Sequence, residues 1–160
     1  MTAYFRIHAD YVGRLGVEVG VFVAVDHLRR AGLLSDAQES LYLDIDDWFR
    51  EALPTPPLYS DGNTLGAVTW FKRDTRVRAD FAERLDALRS LLSAHGVPHR
   101  TSESDDPGRV VYEDDLQVGV VPRVRRLPSP PPFPAGTVLG PTTPGSKRHL
   151  SRKARKGPQG

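Results

Sequence analysis

The sequence predicts an α+β domain followed by a disordered tail, on three observations. Period-two and β-branched stretches open the chain and recur between positions 66 and 121. Between them lie segments whose apolar residues return every three or four positions, the helical spacing. The composition then breaks after Pro122. Residues 1–122 hold all 20 acidic residues against 13 Arg and Lys, a balance of −7. Residues 123–160 hold nine basic residues, no acidic ones and eight of the 14 prolines, a balance of +9. The division is therefore a globular domain over 1–122 and a proline-rich, basic, disordered tail over 123–160.

Each element has a local reason. Ala3 to His8 alternates, with Phe5 and Ile7 on one face and Tyr4, Arg6 and His8 on the other, as in a strand. The valines at 17, 19, 21, 23 and 25 keep period two, yet the same stretch ends like a helix, with Arg29 and Arg30 in a last turn and Gly32 placed as the residue beyond the C-cap. A helix over 20–31 is the preferred reading. Ser35-Asp36-Ala37-Gln38 is a capping-box pattern, and Leu41, Ile45, Trp48 and Phe49 form the apolar stripe behind it until Pro54 closes the segment. A stiff loop, PTPPLYSDGN, leads to a strand over Gly66–Lys72.

Asp74 or Thr75 then caps a long helix striped by Phe81, Leu85, Leu88 and Leu92, with Gly96 just past its end. Pro98 suits the start of an edge strand over His99–Ser104. After the turn Asp105-Asp106-Pro107-Gly108, two strands at 109–112 and 116–121 form a hairpin through Glu113-Asp114-Asp115. The predicted order is β-α-α-β-α-β-β-β, with the helices on one face of a mixed or antiparallel sheet.

Composition narrows the function classes. A body of this size buries an ordinary single core, since the hydrophobic content of 39% is diluted by the tail. The absence of cysteine removes disulfides, thiol nucleophiles and cysteine-bound zinc. The longest apolar run, Val21–Val25, is too short to span a bilayer, and the first residues lack the apolar core of a secretory signal. A soluble, cytoplasmic protein is expected. No GxGxxG, GxxxxGK[ST], HExxH or GxSxG pattern is present, so no cofactor is called for and the reading leans away from an enzyme.

Three segments carry a resemblance: Trp70-Phe71-Lys72, the stretch from Pro107 to Asp115, and Gln117-Val118. Together they resemble a small bacterial protein family of compact single domains with a WFK strand and a PGxxxYEDxxQV hairpin, to which no activity is attached. The resemblance covers roughly residues 3–122. It implies a bacterial, cytoplasmic setting and brings no site residues.

Five constellations can carry chemistry. Glu113 and Asp115 converge on one face of the hairpin tip, and Asp44 and Asp47 share a helix face at i, i+3. If they met, the carboxylates could hold a divalent cation and hydrolyse phosphoesters, but each group reads more simply as a solvated charged surface. His8 can act as an acid or base but reads as a strand-end surface histidine. Trp70 beside Lys72 is the pattern of a base-stacking sheet, though a core aromatic explains it as well. Lys147, Arg148, Arg152, Lys153, Arg155 and Lys156 form a polyanion-binding candidate, equally able to contact the acidic body. The expectation is a small binding or accessory protein whose tail contacts nucleic acid or another polyanion. The alternatives are the metal-dependent hydrolase and an interaction module that docks through PPPFP.

Overall fold

The computed structural model describes residues 3–76 and 78–134. Its elements run β1 (Tyr4–Val12), β2 (Glu18–Gly20), α1 (Val21–Arg30), α2 (Asp36–Ala52), α3 (Pro57–Ser60), β3 (Val68–Lys72), α4 (Arg73–Arg76), α5 (Ala79–Ala94), β4 (His99–Ser104), β5 (Arg109–Glu113) and β6 (Gln117–Val121). The predicted α+β class holds, with every strand pairing antiparallel. Three short elements, β2, α3 and α4, add to the predicted order.

The valine run serves both periods. Val19 lies in β2 and is buried, Gly20 is the N-cap, and Val21 and Val25 are buried on α1. The capping box of α2 forms as its spacing requires: Ser35 Oγ accepts from the Gln38 amide at 3.1 Å, and Gln38 Oε1 accepts from the Ser35 amide at 2.9 Å. Helices α1 and α5 end alike. Leu33 N–H donates to the Leu28 carbonyl and Gly32 N–H to Arg29, while Val97 N–H donates to Leu92 and Gly96 N–H to Ser93, the paired bonds of a Schellman motif. The cap of α5 differs from expectation. Arg78 is its N-cap, and Thr75 is instead buried, its hydroxyl donating to the Leu116 carbonyl at 2.9 Å.

Helices α1, α2 and α5 pack on the face of the sheet that carries Phe5, Ile7, Ala9, Tyr11 and Phe71. Three edge-to-face aromatic contacts join them, Phe22–Phe49, Trp48–Phe81 and Phe49–Phe81, and a fourth, Trp48–Phe49, lies within α2, with ring centres 4.8–5.6 Å apart. Leu41 departs from the predicted stripe at 44% exposure, and Tyr42 takes its place in the core. The opposite sheet face has a smaller cluster of Val68, Val118 and Val120, which half-buried Trp70 helps to cover. Trp70 is thus packing against its neighbours, as the simpler reading of that strand required.

The sheet forks at β1. Strand β4 pairs with Tyr4–Ala9 along one edge. The other edge is divided, since Tyr4 and Phe5 pair with β3 while His8 and Val12 pair with β2. On that edge Arg6 and Ile7 pair with neither strand.

The chain does not leave the body at Pro122. Residues 123–134 form a strap across it. Arg123 pairs with Asp106 at 2.8 Å and Arg126 pairs with Glu18. The Arg125 guanidinium donates to three carbonyls, Leu15 at 2.6 Å and Leu65 and Gly66 at 3.1 Å. Ser129 exchanges two hydrogen bonds with Val12, and Phe133 stands edge-on to Tyr11. Two glycines make room for Arg125: a Cβ on Gly16 would lie 2.7 Å from Arg125 Cβ, and one on Gly66 would lie 2.9 Å from its Nη2. Composition marked this stretch as tail because polar backbone bonds and arginine, rather than apolar burial, hold it down.

Candidate functional site

A cavity of about 340 Å³ occupies the fork. β1 contributes Arg6, Ile7 and Tyr11, β2 with its preceding loop contributes Val17 to Gly20, and β3 contributes Val68 and Thr69. Phe49 of α2 closes it from the helical side, and Pro128 and Ser129 of the strap form part of its wall. Because neighbouring strand residues point to opposite faces, Arg6 and Ile7 can line one cavity only where the sheet is split. The walls are mainly apolar, with polar groups at a few points, the composition of a small-molecule site.

Most of those polar groups are engaged. Tyr59 Oη lies 2.6 Å from Thr69 Oγ1, and burial raises the Tyr59 hydroxyl above its usual range. Tyr11 Oη lies 2.8 Å from His27 Nδ1. Burial pushes His27 down to about 4 against a weaker upward pull from Asp26, so the ring is neutral at neutral pH. Gln117 Nε2 donates to the Pro54 carbonyl at 2.8 Å and to Asp114 Oδ2 at 3.0 Å, which anchors the loop after α2. Asp46 is fully buried and accepts from Arg50 Nε at 3.1 Å.

Arg6 differs from the other arginines around it. Its Nη2 donates to the Glu18 backbone carbonyl at 2.5 Å, and among the described residues no carboxylate forms an ion pair with it. The Glu18 carboxylate is taken by Arg126. Burial pushes the Arg6 guanidinium down to about 10, with Glu18 and Tyr59 pulling it back up. Arg6 is half-buried with no ion-pair partner among the described residues, and such groups concentrate where a ligand supplies the missing charge.

The candidate metal ligands are not brought together. Among the described residues no group of three or more His, Asp or Glu side chains can hold a metal ion. Glu113 pairs with Lys72 Nζ at 2.6 Å, Asp115 is exposed, Asp44 is exposed on α2 and Asp47 is half-buried there. The busy carboxylate at the hairpin is Asp114. Burial works against its charge, but bonds from Tyr112, Gln117 and the Leu116 and Gln117 amides outweigh this and hold it below the usual range. Spacing singled out its neighbours because it cannot show which carboxylate folds back on its own turn.

His8 is not at the surface. It is 3% exposed, because β4 covers the edge beside it. Its Nδ1 donates to the Ala9 carbonyl at 2.8 Å, which leaves Nε2 to accept from Ser102 Oγ at 2.7 Å. Neither residue lines the cavity. Lys147, Arg148, Arg152, Lys153, Arg155 and Lys156 lie outside the described residues. Of the PPPFP stretch, Phe133 is half-buried against Tyr11.

The fold is an α+β domain with a mainly apolar, partly open cavity at a split in its sheet. No family model matches the chain, and neither does any curated protein or solved structure at a significant level. The WFK and PGxxxYEDxxQV motifs therefore rest on the sequence alone. Among the described residues no helix is long and apolar enough to cross a membrane.

Proposed function

We propose that this protein binds a small, largely apolar molecule in the fork cavity. The observation that carries this is the cavity itself: about 340 Å³ of mainly apolar wall where one edge of β1 divides between β2 and β3. Its size falls at the lower end of ordinary ligand sites, about 300–1,000 Å³.

The neutral fluorophore N-phenyl-1-naphthylamine should bind the full chain with a blue-shifted, enhanced emission. Val17→Trp, which enlarges a half-buried wall residue, should weaken that binding about ten-fold or more while leaving far-UV circular dichroism unchanged. An equal signal from both proteins would place the fluorophore elsewhere and remove the reading.

A separate role for the tail rests on the charge break, since six of its nine cations fall between Lys147 and Lys156. We infer that these contact nucleic acid or another polyanion. The full chain should then retard duplex DNA at low salt, and a chain ending at Pro134 should not. Retardation by both would assign the binding to the body.

A further inference from the structure

We propose that the ligand of the fork cavity is a monocarboxylate with an apolar body, its carboxylate held by the Arg6 guanidinium. This rests on the small-molecule reading above and names the chemistry that reading leaves open.

The first ground is donor capacity. A guanidinium carries five N–H groups in a planar fork that matches a carboxylate. Arg6 uses Nη2 toward the Glu18 carbonyl, and no other hydrogen bond or ion pair engages the group among the described residues. The nearby arginines that face acids, Arg50 with Asp46 and Arg126 with Glu18, already have their counter-charge within the fold.

The second ground is charge count. One unpaired cation in an apolar wall balances one negative charge. A phosphate monoester carries more charge and acceptor oxygens than a single guanidinium can satisfy away from water. The third ground is position. Arg6 sits at the split between β2 and β3, so its head group meets the same space as Ile7, Phe49 and Val68. A ligand with its charge at Arg6 and its apolar part along those side chains satisfies both requirements at once.

The test is displacement of N-phenyl-1-naphthylamine from the full chain by decanoate, decanol and decyl phosphate. Decanoate should displace the fluorophore at a concentration about ten-fold or more below that of decanol, the ratio expected of a charge-assisted hydrogen bond in a desolvated site. Decyl phosphate should be no better than decanol. Arg6→Met should lose the preference for decanoate over decanol, each displacement being referred to that variant's own affinity for the fluorophore, and Arg6→Lys should keep part of it. Equal displacement by decanoate and decanol from the unaltered protein overturns the proposal, as does a preference that survives in Arg6→Met. Decyl phosphate outcompeting decanoate overturns it in favour of a dianion. Failure of the fluorophore to bind at all removes the cavity reading instead, and this proposal with it.

Discussion

Phe81→Ala is expected to lower the unfolding free energy by about 3–5 kcal/mol, the usual cost of deleting a fully buried phenylalanine. Phe81 is 0% exposed and stands in the middle of the contact between α2 and α5, 5.1 Å from Trp48 and 5.6 Å from Phe49 by ring centres. Its deletion leaves a cavity that rigid aromatic neighbours cannot collapse into. It also strips the face over which the Arg78 guanidinium lies at 4.6 Å. A domain of this size is stable by only about 5–15 kcal/mol, so the variant should sit close to its unfolding limit. Urea titration followed by tryptophan fluorescence reads the change directly, since Trp48 belongs to the cluster. Leu41→Ala, at a residue 44% exposed on α2, is the control and should change stability by well under 1 kcal/mol. A loss below about 1.5 kcal/mol for Phe81→Ala would show that the aromatic cluster is not what joins the helices.

Stability should also fall by up to about 3 kcal/mol as pH drops from 6.5 toward 4, because of His27. Burial lowers the folded-state value of His27 to about 4 from an ordinary 6.5. Within that window the unfolded chain takes up a proton that the folded protein refuses, so acid favours unfolding. The contribution is fully present above 6.5, erodes as pH falls, and is gone below the folded value. His8, lowered by burial despite its bond to the Ala9 carbonyl, adds in the same direction. Urea midpoints measured across this range should therefore decline, and His27→Gln, which keeps a hydrogen-bonding partner for Tyr11, should flatten most of the decline. An unchanged slope in that variant would assign the acid sensitivity to other groups.

Local chemistry made much of the fold legible. Ser35 and Gln38 cap α2 through a contact three residues long, and Gly32 and Gly96 end their helices through bonds of similar reach. The Phe81–Leu92 stripe needed only its spacing. Strand β2 escaped because three residues give too few alternations and the valine period runs on into α1. Leu41 falls outside the core for a helical reason. A small rotation of the stripe on α2 exposes the leucine and buries the aspartate, which Arg50 one turn later makes tolerable. The candidate site was hidden for a different reason. Alternation puts Arg6 on the open face of β1, and only the division of the β1 edge between β2 and β3, strands distant in sequence, turns that position into a cavity wall.

The strap sets a ceiling on the tail's ion exchange. Nine cations follow Pro122, but Arg123, Arg125 and Arg126 are already held by Asp106, by three carbonyls and by Glu18. Six remain to displace counterions from a duplex. A plot of log affinity against log salt should then slope at about −5, against about −8 if all nine took part. A slope nearer the larger figure would mean that DNA peels the strap from the body, and with it the Ser129 wall of the cavity.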